Sequence, residues 1–191
     1  LPQGDLGLMA PTTALHHRLL ELFGGPLVCT SGNREGEPLT VTVEEAEREL
    51  EAMADFFVHH SRPIAQPIDD SVVRSMGGRV VTLRCARGLA PLSLSLPIEQ
   101  PLVALGGHQK AAIALANGAQ AVLLPHVGTL ATVATRARWQ ERLQTQQALY
   151  QVEQPVWVVD AHPEYAASRY GREQPGQHVT VWHHHAHIAA G

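Results

Sequence analysis

The dipeptide Asn117-Gly118 lies between two short apolar runs, AAIALA (111–116) and AQAVLLP (119–125), and constrains the chain more than any other local feature. A two-residue hairpin turn of type I′ needs positive φ at both central positions, which Asn-Gly supplies at low cost, so the two runs read as paired strands. LVALGG (102–107) precedes them as a third strand. From about Leu130 to Val152 the pattern turns helical, with Leu143, Gln147 and Tyr150 on related faces. VWVVD (156–160) is a continuous apolar run that reads as a buried strand. Pro163 is placed to open a short helix through Tyr165 and Tyr170. HVTVW (178–182) is a further strand, and a histidine run opens the next helix. The expected fold class is therefore α/β, with a β-β-β-α-β-α-β order over 101–191. That order is the ribonuclease-H-like half of the actin/sugar-kinase/Hsp70 class, in which the turn between the first two strands cradles phosphate.

The first part of the chain reads as mixed α/β. Thr13 is a candidate cap for a helix carrying Leu15, Leu19, Leu20 and Phe23, stopped by Gly24-Gly25. PLVCT (26–30) reads as a short buried strand, followed by the polar loop SGNREGEP. Thr42-x-x-Glu45 is a capping box opening the helix EEAERELEAM, whose early acids suit the helix dipole. FFVHH (56–60), SVVRSM and RVVTLR supply three strands, the last two joined by Gly77-Gly78. GLAPLSLSLPIEQP (88–101) carries prolines without helical periodicity and reads as a linker or an extended crossing, placed at 93–100.

Composition removes several function classes. Fourteen basic residues against eighteen acidic ones leave a net charge of −4, a poor balance for a dedicated nucleic-acid binder. No apolar run approaches membrane-spanning length, and the N-terminus does not read as a signal peptide. Two cysteines, Cys29 and Cys85, have no zinc spacing and fit a reducing cytoplasm. The start at Leu1-Pro2-Gln3 without a methionine leads us to expect a fragment.

Twelve histidines cluster at 16–17, 59–60 and 183–187, and the last cluster carries chemistry. In VWHHHAHIAAG the run is broken by Ala186 and embedded in a strand-to-helix context, unlike an affinity tag. Residues i and i+4 on a helix are neighbours, so His183 and His187 can present two imidazoles to one divalent ion. His184 and His185 face elsewhere, and a carboxylate or water must complete the shell. A His-rich surface helix is the plain alternative. Ser31 and Asn33 lie in a TSGN loop suited to nucleotide or phosphate contact, although polar loops after strands are common. Asp69-Asp70-Ser71 with Arg74 reads as an acid pair before a strand that carries a cation, or as a solvated turn. GGHQK (106–110) is a candidate phosphate turn with Lys110 as its charge.

Taken in order, LGLMAPTTALHHRLL, LVCTSGNREGEP, DDSVVR, LRCARGLAP, VVDAHPEYAASRY and VWHHHAHIAA closely resemble the hydrogenase maturation carbamoyltransferase family, HypF. The resemblance implies residues 1–92 as the C-terminal part of a YrdC-like domain and 101–191 as the start of a threonylcarbamoyltransferase-like domain. It further implies that carbamoyl phosphate and ATP yield carbamoyl adenylate. The carbamoyl group then passes to the C-terminal cysteine of a partner protein in [NiFe] hydrogenase maturation. By the same resemblance Ser31, Asn33, Asp70, Ser71, Arg74, Arg84, Arg87 and Lys110 contact nucleotide. His183 and His187 bind the metal (zinc or iron, with magnesium accompanying ATP), and His184 and His185 line the carbamoyl site. Where the family commonly has an acidic residue followed by Leu-Lys-Asn-Thr, this chain has His108-Gln109-Lys110-Ala111-Ala112, and Thr129 replaces a usual Asp. Other readings are an O-carbamoyltransferase of antibiotic biosynthesis, a YrdC-like RNA-binding module and a nickel-storage protein. The net charge opposes the second, and placement of the histidines within motifs opposes the third.

Overall fold

The computed structural model describes residues 4 and 6–190; Leu1–Gln3, Asp5 and Gly191 lie outside the described residues. The chain divides into two compact units, Leu1–Ser31 and Gly32–Gly191. In the first, α1 (Ala14–Phe23) begins where the Thr13 hydroxyl accepts the His16 N–H at 3.2 Å. It ends at Gly24, whose φ of 75° is the left-handed cap that glycine favours. The expected strand at 26–30 does not form, and Val28 is fully exposed.

In the second unit, α2 (Val43–Leu50) has the expected capping box. The Thr42 hydroxyl accepts the Glu45 N–H at 3.1 Å, while the Glu45 carboxylate reaches back to the Val41 N–H at 3.0 Å, one residue before the usual target. The strand expected at 56–60 is also absent, and Phe56 and Val58 are exposed. An apolar run becomes a strand only when a neighbouring edge takes up its backbone groups, and no edge does so here. β1 (Val72–Met76) and β2 (Arg79–Arg84) form the expected antiparallel hairpin across Gly77-Gly78, both with positive φ.

A six-stranded sheet follows, in the order β3-β6-β5-β4-β7-β8. Its strands are β3 (Leu92–Ser95), β4 (Leu102–Ala104), β5 (Ala114–Asn117), β6 (Gln120–Leu123), β7 (Val156–Asp160) and β8 (His178–Val181). The last five, with α3 (Val133–Leu149), α4 (Ala166–Arg172) and α5 (His183–Ala189), give the ribonuclease-H-like order that the pattern predicts. The β5–β6 hairpin forms, but its turn lies one residue later than expected: Asn117 pairs with Gln120 as the last residue of β5, and Gly118-Ala119 make the turn, with Gly118 at a φ of 64°. One expectation needs correcting. Residues 93–95 of the Pro-rich stretch are not linker but part of β3, which pairs antiparallel with β6 and extends the sheet. The short helix expected at Pro163 starts later, with Tyr165 at its cap position.

The core lies between the sheet and α3. Val103, Leu105, Ile113, Leu115, Trp157 and Val159 come from the strands and their loops, and Trp139 and Leu143 from one face of α3. Thr132 caps α3 by accepting the Thr135 N–H at 3.1 Å, and four residues later Trp139 meets Tyr170 edge-on with ring centroids 5.2 Å apart. α4 approaches β7 closely because Gly171 has no side chain; a Cβ there would run into Val159 and Leu105. By contrast α1, α2 and the β1–β2 strands contain no buried residue among those described. Stability should therefore reside in the six-stranded sheet and α3. Trp139→Ala is expected to cost about 3–5 kcal/mol in chemical denaturation. Val80→Ser, on the exposed hairpin, should change it by no more than about 0.5 kcal/mol.

Candidate functional site

Three adjacent strands, β4, β7 and β8, run parallel, so their C-terminal ends lie along one edge of the sheet. β4 leads into Gly106-Gly107, β7 ends on Asp160, and β8 leads through Trp182 into α5. Asp160 is opposite Val181 in the β7–β8 register, which brings its carboxylate beside the first residue of α5. The His183 Nδ1 lies 3.1 Å from Asp160 Oδ2, and the Asp160 side chain is 8% exposed. The other carboxylate oxygen, Oδ1, accepts the His162 N–H at 2.8 Å. His183 Nε2 and His187 Nε2 converge to 3.1 Å, the i,i+4 geometry the sequence predicts. His184 and His185, also exposed, are not drawn into this pair; His184 rests near Trp182 with rings 6.0 Å apart.

The Gly106–Lys110 turn borders the pair, since a Cβ on Gly107 would sit 3.5 Å from His183 Cε1. Gly106 is required for a different reason. Its φ is +67°, and a Cβ would collide with the Ala112 carbonyl oxygen. His108 and His162 each stack on Tyr165, with ring centroids 5.5 Å and 4.0 Å from it. His108 Nδ1 is buried without a hydrogen-bond partner. Lys110 is exposed with a φ of 46°.

The expected nucleotide residues fall into separate groups. Asp70, Ser71, Arg84 and Arg87 meet at one end of the β1–β2 hairpin. Arg87 Nε donates to Asp70 Oδ1 at 2.8 Å, its Nη2 donates to the same oxygen, and the Ser71 hydroxyl accepts the Ala86 N–H at 2.8 Å. Arg74 lies within β1. Asn33 organises its own loop by donating to the Arg34 and Glu37 carbonyls at 3.0 and 2.9 Å, which leaves its buried Oδ1 without a partner. Ser31 is exposed at the end of the first unit.

Sequence reasoning missed Asp160, although a carboxylate ending an apolar strand was a usable signal, because ligands gather at such strand ends. It also missed His126, which no motif marked. His126 Nε2 lies 3.5 Å from Asp69 Oδ2, too long for a good hydrogen bond, and both ring nitrogens are buried without a partner. Burial pushes the His126 pKa down, Asp69 opposes this, and Arg84, Lys110 and Arg142 reinforce it. Arg142 is itself buried and donates to the Pro125 carbonyl at 3.4 Å and to the Pro67 carbonyl. Burial lowers its pKa too, and Asp69 counters the effect. An unfolded histidine gains its proton near pH ~6.5, whereas the folded His126 resists protonation until lower pH. The folded state therefore binds fewer protons in that interval, and stability should fall as pH drops through it. His126→Gln is expected to shrink the shift in urea midpoint between about pH 7 and about pH 5. An undiminished shift would assign the pH dependence to other groups.

Comparison with known proteins agrees with the two-part reading of the motifs. Residues 97–191 match the family described as the HypF Kae1-like domain, and residues 2–86 match the Sua5/YciO/YrdC family described as telomere recombination. A carbamoyltransferase HypF of Rhodobacter capsulatus is 43% identical over 197 residues, covering 97% of this chain and 26% of that protein. Its counterpart in Synechocystis sp. is 38% identical, covering 97% of this chain and 24% of its own length. A crystal structure of full-length HypF in its phosphate- and nucleotide-bound form superposes with a TM-score of 0.91 at 34% identity. That match covers 97% of this chain and 25% of the other. Thermococcal HypF (T. kodakarensis) gives a TM-score of 0.77 at 30% identity, over 84% of this chain and 22% of that one. The chain thus spans about a quarter of the relatives it matches, and it belongs to the HypF family.

Proposed function

We propose that this chain supplies parts of two sites of a HypF-type carbamoyltransferase, with 1–92 serving carbamoyl-adenylate formation and 101–191 carbamoyl transfer. The observation that carries the reading is the convergence of His183 Nε2 and His187 Nε2 at 3.1 Å, beside a glycine turn and at the ends of three parallel strands. No group of three or more His, Cys, Asp or Glu side chains among the described residues is arranged to hold a metal. The donor set nonetheless fits one: two imidazoles face each other through Nε2, and the Nδ1 of one is engaged by a carboxylate, as in histidines that ligate metals. A bound divalent ion, zinc or iron, would polarise a carbonyl or hold phosphate there, and at least one further ligand would complete its shell.

On this reading water hydrolyses carbamoyl phosphate to carbamate and inorganic phosphate, and a carbamate oxygen then attacks the α-phosphorus of ATP. The bond to the bridging oxygen breaks, and pyrophosphate leaves. Asp70, Ser71, Arg74, Arg84 and Arg87 contact the nucleotide, together with Ser31 and Asn33. The unspent acceptor on Asn33 Oδ1 supports this role, because a buried oxygen without a donor costs about 1–3 kcal/mol unless a ligand or water satisfies it. The cysteine thiolate of the partner protein then attacks the carbamoyl carbon, and AMP departs with the electron pair of the broken C–O bond. Lys110 balances phosphate charge at the Gly106–Lys110 turn, and His184 and His185 line the carbamoyl site. No helix among the described residues is long and apolar enough to cross a membrane, which fits the cytoplasmic location we propose.

The two sites should separate by mutation in the enzyme that contains this chain. His183→Ala is expected to leave carbamoyl-phosphate-dependent ATP–pyrophosphate exchange intact and to abolish transfer to the partner cysteine. Asn33→Ala should do the reverse, with transfer restored by supplied carbamoyl adenylate. Loss of exchange in a folded His183→Ala protein would refute the assignment of the histidine pair to transfer.

A further inference from the structure

We infer that Asp160 is a positioning residue that fixes the ring tautomer of His183 and, through it, that of His187. The inference deepens the metal-site reading above and rests on it for its functional meaning, but its geometry stands independently. Asp160 is held from several sides before it meets His183. Its Oδ1 accepts the His162 N–H at 2.8 Å. Its main-chain carbonyl accepts the Ser168 hydroxyl at 3.0 Å and Arg172 Nη2 at 3.2 Å. Next to it, the Ala161 N–H bonds the Val181 carbonyl at 2.9 Å, tying the strand end to β8. The carboxylate is therefore a fixed acceptor, not a mobile side chain that happens to lie near an imidazole.

An ionised carboxylate only accepts hydrogen bonds, so the 3.1 Å contact requires the proton of neutral His183 on Nδ1. His183 Nε2 is then a bare lone pair. The 3.1 Å contact between the two Nε2 atoms needs one donor, so His187 carries its proton on Nε2 in the metal-free pair. One buried carboxylate thus sets the protonation of two imidazoles and leaves His183 ready to ligate through Nε2. His187 needs only to move its proton to the other ring nitrogen.

Asp160→Asn is the discriminating substitution because it keeps size and shape. The His162 N–H still needs an acceptor, so the Asn oxygen must remain there and the amide NH2 must face His183 Nδ1. A donor in that position forces the His183 proton onto Nε2 and, across the pair, the His187 proton onto Nδ1. The whole relay inverts without loss of the turn at β7.

Ring 15N chemical shifts of the metal-free 191-residue chain read the tautomers directly. Wild type should show His183 protonated on Nδ1 and His187 on Nε2, and Asp160→Asn should show both reversed. Zinc titrated by calorimetry should bind Asp160→Asn about 10–100-fold more weakly than wild type. Wild-type His183 protonated on Nε2 overturns the inference even if the variant fails to fold, as does an unchanged pair in a folded Asp160→Asn. Measurable but equal zinc affinity in the two proteins overturns it as well. Inverted tautomers in a chain that binds no zinc in either form would keep Asp160 as the positioning residue and refute the metal reading instead.

Discussion

Parallel pairing of β4 with β7, and of β7 with β8, is the constraint on which the site depends. Antiparallel neighbours would send consecutive strand ends to opposite edges of the sheet. Parallel ones bring Gly106-Gly107, Asp160 and His183 to one edge, although 23 residues separate the last two. The pairing is possible because α3 and α4 return the chain across the sheet, as parallel strands require a crossover. Burying Trp139 and Leu143 against the strands holds those crossovers in place. Core packing and site geometry are thus one problem: the residues that exclude water from the sheet also align the ends from which the polar groups project.

Polar bonds carried by α3 and the residue preceding it tie this sheet to residues 37–69 within the same compact unit. Arg138 pairs with Glu45 at 3.1 Å, Thr132 Oγ1 donates to Glu37 at 3.1 Å, and buried Arg142 donates to the Pro67 carbonyl. The Glu45 pKa is lowered, chiefly by the Val41 N–H and then, against the cost of burial, by Arg138, so the acid that closes the α2 capping box also anchors the helix to α3. A buried guanidinium is expensive unless its donors are satisfied, and here carbonyls from two segments and the nearby Asp69 share that task. His126 lies among these charges with no hydrogen bond of its own. The result is a junction specified by charge placement more than by apolar burial.

Much of the fold was legible in the sequence because its signals were local. Gly77-Gly78 marked one two-residue hairpin and Asn117-Gly118 the other, a residue early, and Thr13 and Thr42 marked helix starts, because each acts through a neighbour a few residues away. The expected strands at 26–30 and 56–60 did not form, and residues 93–95 joined a sheet instead of a linker. These misreadings share one cause. Strand formation depends on a partner edge elsewhere in the chain, and apolar content does not reveal whether that edge exists.

By itself, the sequence determined the order of elements from residue 101 onward and the facing of His183 and His187, since an i,i+4 spacing on a helix needs no other part of the chain. The motifs also placed the chain in its family. Only the tertiary structure decided that Asp160 meets His183, that Ser71 and Arg87 are engaged at the hairpin end with Ala86 and Asp70, and that His126 is buried among cations. Each of these depends on strand register and on helices packed across long stretches of sequence. Local propensity cannot encode such contacts, because their energy is gained only after distant segments have lost their freedom.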